Sequence, residues 1–96
     1  MKFSFHPAAA EELESAVVYY ELNQRGHGLD FAEEVAAAIT RILQHPNAWM
    51  PLSKNSRRCI ISRFPYGIIY QVKTRTLRII AIAHLSRKPE YWKNRL

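Results

Sequence analysis

The sequence is sparing with cysteine, glycine and long apolar runs, and its second half has almost no acid. One cysteine, Cys59, cannot close an internal disulfide, so a reducing compartment is expected. Flanked by strand residues, it reads as a small buried apolar side chain rather than a nucleophile. No apolar run approaches the ~18 residues of a membrane span. Pro7 and the Glu11, Glu12 and Glu14 cluster also leave no room for a signal peptide's apolar region, so the expected location is cytoplasmic. With three glycines there is no phosphate-cradling loop, and no serine sits in a nucleophile elbow. The four histidines are scattered, which gives no metal site and no implied cofactor.

Acid is missing from one half only. Residues 1–50 hold three Lys and Arg against seven Asp and Glu, a net of −4; residues 51–96 hold eleven against Glu90 alone, a net of +10. A basic half of this kind implies a polyanionic partner, either nucleic acid or an acidic protein; the plainer reading is a solvated basic face.

The 96 residues fit one domain, 1–96. Lys2–His6 alternates polar and apolar as a short strand does. Over Pro7–Asn23, Ala9, Leu13, Ala16, Val17 and Tyr20 form a helical stripe, and Gly26 and Gly28 mark a tight connection. Asp30 and Glu33 resemble a capping box for a second helix striped by Phe31, Val35, Ala38, Ile39, Ile42 and Leu43. His45-Pro46 closes it. Asn47–Ser56 reads as an irregular crossover. Strands follow at Arg58–Ile61, Tyr66–Val72 and Leu77–His84, the last two joined by a charged turn at Lys73-Thr74-Arg75-Thr76. Both faces of Leu77–His84 are apolar, which predicts a central position. Strict alternation puts Arg78 and His84 on one face. Pro89 starts a short C-terminal turn or helix. The expected fold is therefore α+β, in the order β-α-α-β-β-β, an antiparallel sheet packed against a helical hairpin.

The helix acids are read as solvating outer faces. The chemistry-bearing residues group at the ends and open face of the sheet: Lys54, Arg57, Arg58, Arg63, Arg78, His84, Arg87, Lys88 and Tyr91. Cations hold phosphate or developing negative charge, His moves a proton near neutral pH, and Tyr stacks on a base. Such a group could cleave RNA without a metal, or simply bind an acidic surface. Trp49 and Trp92 read as packing residues.

The run Arg57-Arg58-Cys59-Ile60-Ile61-Ser62-Arg63-Phe64-Pro65-Tyr66-Gly67-Ile68-Ile69-Tyr70, followed by His84-x-x-Arg87-Lys88-Pro89-x-Tyr91-Trp92, resembles the RelE/ParE superfamily of toxins. The resemblance covers nearly the whole chain. It implies the toxin half of a type II toxin–antitoxin pair, bound by a small acidic antitoxin in a hetero-oligomer, with Arg57, Arg58, Arg63, Arg78 and Lys88 as binding candidates. One branch of that superfamily cleaves mRNA on the ribosome, and another poisons DNA gyrase. For a ribonuclease the matching catalytic set is Lys54, His84, Arg87 and Tyr91, but Gly67 stands where the cleaving members carry an arginine. The His84–Trp92 ending looks closer to ParE-like members. That makes gyrase inhibition the expected activity, with mRNA cleavage as the alternative and a non-toxic basic RNA-binding module as a further one.

Overall fold

The computed structural model describes residues 1–96. The chain begins with a strand, β1 (Lys2–Phe5), and turns at once into helix α1 (Pro7–Asn23). His6 is the N-cap: its Nδ1 accepts from the Ala8 N–H at 3.0 Å, and Pro7 fills the first helical position. Helix α2 (His27–Gln44) follows within one turn. It starts three residues before Asp30, so the anticipated capping box does not form. Its cap comes instead from α1, where the Glu21 carboxylate accepts from the N–H groups of Gly26 and Gly28 at 3.0 and 3.1 Å. Gly28 also lets the helices close on each other, because a Cβ there would lie 2.6 Å from the Val17 carbonyl oxygen.

Four strands then form an antiparallel meander: β2 (Met50–Ser53), β3 (Ser56–Ile60), β4 (Tyr66–Val72) and β5 (Thr76–His84). Strand β1 returns to pair in parallel with β5, giving a mixed five-stranded sheet in the order β1-β5-β4-β3-β2. The expected α+β architecture with a helical hairpin holds, and β5 is interior, as its two apolar faces require. The crossover at Asn47–Ser56 is corrected: it contains the edge strand β2. Pro51 fits there because an edge strand has one side without ladder bonds.

The largest departure from simple alternation lies in β5. Register pairs Tyr70 with Ile79 but Ile68 with Ile82, so one extra residue, Ile80, sits in β5 opposite Ile69 and Tyr70. Such a bulge shifts the phase of every side chain beyond it. Leu77, Ile79, Ile82 and His84 therefore face the helices, while Arg78 faces away. The shared face expected for Arg78 and His84 is thus overturned.

The helix-facing side carries the main core, with Phe31, Val35, Ile42, Cys59, Ile68, Tyr70 and Ile79 essentially inaccessible. At one end Tyr20 meets His27, Phe31, Phe64 and Tyr66 edge-on or tilted, at centroid distances of 4.8–6.2 Å, tying both helices to the sheet. A smaller core forms on the opposite, open face, where the C-terminal tail lays Trp92 over Ile69, Ile80, Ala81 and Ala83. Leu13 and Val17, expected in the core, are only half-buried against it. The expected C-terminal turn is present: Pro89–Trp92 form turns that lead into a single 3-10 turn, Lys93–Arg95.

Tyr70 supplies a pH test of this packing. Burial pushes its hydroxyl up to about 12 while the group donates to the Pro46 carbonyl at 2.7 Å. A proton held more tightly in the folded than in the unfolded chain stabilises the fold below the ordinary value of about 10. That contribution falls away as pH rises through about 12. An alkaline titration followed by tyrosinate absorbance and circular dichroism is expected to show ionisation coupled to unfolding. Complete ionisation near pH 10 with secondary structure intact would show Tyr70 to be accessible.

Candidate functional site

The site is built where β5 ends. Leu85 N–H donates to the Pro65 carbonyl at 2.8 Å, and Arg87 N–H donates to the His84 carbonyl at 3.0 Å, so the chain folds back sharply. Ser86 donates its backbone N–H to His84 Nδ1 at 3.0 Å, and its hydroxyl lies 2.7 Å from the same nitrogen. An N–H can only donate, so Nδ1 presents its lone pair and the proton of the neutral ring sits on Nε2. The ring packs edge-on against Tyr66 at 5.0 Å.

Beyond this turn the tail crosses the open face, enclosing a cavity of about 160 Å³ between itself and β3–β5. Arg58, His84, Arg87 and Lys88 border it together with Tyr91, over an apolar floor of Leu52, Ile69, Ala83 and Trp92. Arg58 reaches it by lying flat across the sheet. A Cβ on Gly67, its cross-sheet neighbour, would sit 3.1 Å from Arg58 Cγ and Cδ, so glycine here keeps the path of the arginine stem open. Arg58 Nε is buried and has no hydrogen-bond partner.

Sequence reasoning missed the residue that holds this arrangement, Glu12. Its carboxylate accepts from the Ile82 N–H at 3.0 Å, from the Tyr91 hydroxyl at 2.7 Å and from both terminal nitrogens of Arg95 at 2.8 and 3.1 Å. Arg95 also donates to the Ile80 carbonyl at 3.1 Å. These two side chains thus satisfy the part of the β5 edge that β1, ending at Phe5, leaves uncovered. The reading of the helix acids as solvating is corrected for Glu12. The signal was present: Glu12 lies three residues after buried Ala9 and four before buried Ala16, in the middle of the inward stripe.

Tyr91 is correspondingly committed. Burial, and then its bond to Glu12, push the phenol well above its usual range, so it stays protonated. The Arg87 guanidinium lies 3.9 Å over its ring and covers a face on which a base would stack. Lys54 lies elsewhere, in the β2–β3 turn beside Asn55 and Arg57. That turn adjoins the Val72 end of β4, whereas His84 pairs with Tyr66 at the other end. Six residues of strand put the two roughly 20 Å apart.

The remaining cations also scatter. Arg57 is on the helix-facing side and donates to the Trp49 carbonyl at 2.8 Å. Arg63, at φ 71°, faces Asp30 and Glu34 at 3.5 and 3.6 Å while remaining 59% exposed, so these pairs contribute little. Arg78 is on the open face with Arg58. The structure therefore unites Arg58, Arg87, Lys88 and Tyr91, with His84 at the rim and its ring turned toward Tyr66 on the helix side, and leaves Lys54, Arg57, Arg63 and Arg78 outside their cavity. No helix is long and apolar enough to cross a membrane.

Comparison with known proteins agrees with this architecture. A chain of the chromosomal ParDE toxin–antitoxin system of P. aeruginosa superimposes with a TM-score of 0.77 at 17% identity, over 90% of this chain and 97% of that one. At that identity it is the fold that is shared. No curated protein sequence matches the chain. The family model for the ParE toxin of the type II toxin–antitoxin system parDE matches residues 3–89, from the first strand through the turn that carries His84, Arg87 and Lys88. With nearly every element of the fold inside that match, the chain belongs to the ParE toxin family.

Proposed function

We propose that this toxin inhibits growth by acting on DNA gyrase and is restrained by a small acidic antitoxin. The observation that carries the reading is the dispersal of the groups a ribonuclease would use. Lys54 stands at the far end of the sheet, Gly67 replaces the arginine expected of cleaving members, and the Tyr91 hydroxyl is bonded to Glu12. Metal-free RNA cleavage needs a base, an acid and phosphate-binding cations within reach of one phosphate. Here Arg58, Arg87 and Lys88 remain near His84, three cations beside a single acid–base group. That is enough for a contact surface and poor for general acid–base chemistry. Arg58 and Arg78 on the open face, with Arg87 and Lys88 at its end, supply the positive field that an acidic antitoxin would follow.

Gyrase supercoiling assays beside primer extension on ribosome-bound mRNA, with wild type and Arg87→Ala, test this. The expected outcome is inhibited supercoiling, intact mRNA and weaker inhibition by the variant. Codon-positioned cuts that disappear with Arg87→Ala would establish the ribonuclease instead, through His84 and Arg87, which do share the cavity. Neither effect would leave a basic RNA-binding module.

A further inference from the structure

The cavity beneath the C-terminal tail has the build of a receptor for one small anion. Arg58 lines it, and the Nε of that side chain is buried with no acceptor. An unpaired buried donor is destabilising, and an acceptor drawn to this guanidinium through a small shift of the side chain would relieve it. The edge of a guanidinium offers two parallel N–H groups, a geometry that matches the two oxygens of a carboxylate. Arg87 and Lys88 line the same space and add two further cations, while Leu52, Ile69, Ala83 and Trp92 make the rest of the wall apolar.

We infer that this cavity accepts a single carboxylate carried on a short apolar stem, as presented by an acidic side chain of a protein partner. Three observations favour a side chain over a nucleic-acid phosphate. The apolar floor suits methylene groups and offers nothing to a ribose. The Tyr91 ring, which would be a stacking platform, is covered by Arg87. Glu90, held at φ 65° on the cavity wall, repels an extended polyanion more than a single charge. The inference rests on the toxin–antitoxin reading only for the partner's acidity. The cavity's preference can fail while gyrase inhibition stands, and the converse also holds.

The test uses the full-length, ¹⁵N-labelled protein with two probes, butyrate and inorganic phosphate, at constant ionic strength. The resonances of the Arg58 Nε–H and the Trp92 indole N–H are followed. Butyrate is expected to shift both saturably, in the millimolar range proper to so small a ligand. Binding is expected to weaken about tenfold in Arg58→Gln and in Arg87→Gln, with amide dispersion elsewhere unchanged. Phosphate is expected to bind more weakly than butyrate. Phosphate binding as tight or tighter would overturn the carboxylate assignment and point to nucleic acid. No saturable shift with either probe would overturn the cavity as a site. Should Arg58→Gln fail to fold, Arg87→Gln and Lys88→Gln carry the test, and butyrate affinity unchanged in both would place the ligand elsewhere.

Discussion

Ile79→Ala is expected to leave the protein largely unfolded near physiological temperature. Ile79 has no exposed surface and stands where three strands meet, paired with Phe5 across β1 and with Tyr70 across β4. It is also the last residue before the bulge, so its methyl groups fill the core at the point where the strand changes phase. Truncating a buried isoleucine to alanine costs ~2–5 kcal/mol, from lost transfer energy and the cavity left behind. Domains of this size hold only ~5–15 kcal/mol in all, and each kcal/mol moves the melting midpoint by roughly 4–8 °C. Loss of toxicity in this variant would report unfolding rather than altered chemistry. A thermal melt that coincides with wild type would show that β5 is not packed as described.

Glu12→Ala carries the second large effect, and its outcome is local. The substitution removes one acceptor shared by the Ile82 N–H, the Tyr91 hydroxyl and Arg95, the side chains of Glu12 and Arg95 each being only 16% exposed. Breaking a buried ion pair from one side typically costs ~3–5 kcal/mol. Arg95 lies in the short 3-10 turn and its long side chain can swing into water, so a loss of about 2–3 kcal/mol is expected, concentrated in the tail. In a Trp49→Phe background, Trp92 fluorescence should shift toward that of a solvated indole. Hydrogen exchange at the Ile82 amide should accelerate while the amides of β3 and β4 stay protected. Uniform acceleration across the sheet would mean that Glu12 supports the whole fold, and no change would mean that the tail holds by Trp92 alone.

Periodicity was a good guide wherever a segment obeyed one period throughout. The helical stripes gave α1 to its observed ends, and alternation gave β4 residue for residue, because in each case one face meets the core. It failed where local geometry breaks the period. The bulge at Ile80 cannot be seen in a run of Ile and Ala that is apolar on both faces, yet it decides on which side His84 lies. Strand β2 was hidden because an edge strand needs little hydrophobic pattern and tolerates Pro51. Of the candidate site, the cluster after β5 was legible because it is contiguous in sequence. Whether Lys54 joined it depended on tertiary distance, which the residue order does not state. Gly67 looked like a missing arginine, whereas the structure shows that it gives passage to Arg58 from the neighbouring strand.

The pairing of β1 with β5, and of Glu12 with Tyr91 and Arg95, joins the first dozen residues to residues 76–95. During synthesis the amino end emerges first, at about 5–20 residues per second, and domains ordinarily begin to organise as they appear. Here the earliest strand has no ladder partner until residues 76–79 are made, and the first helix has no cation for its inward acid until Arg95 is added. Contacts this distant in sequence close slowly, since the intervening loop entropy must be overcome before they form. A nascent chain therefore lacks both of these links until Thr76–Ile79 and then Arg95 have been added. A chain that stops anywhere before Thr76 lacks the β1–β5 pairing altogether, and with it the strand on which both cores are built.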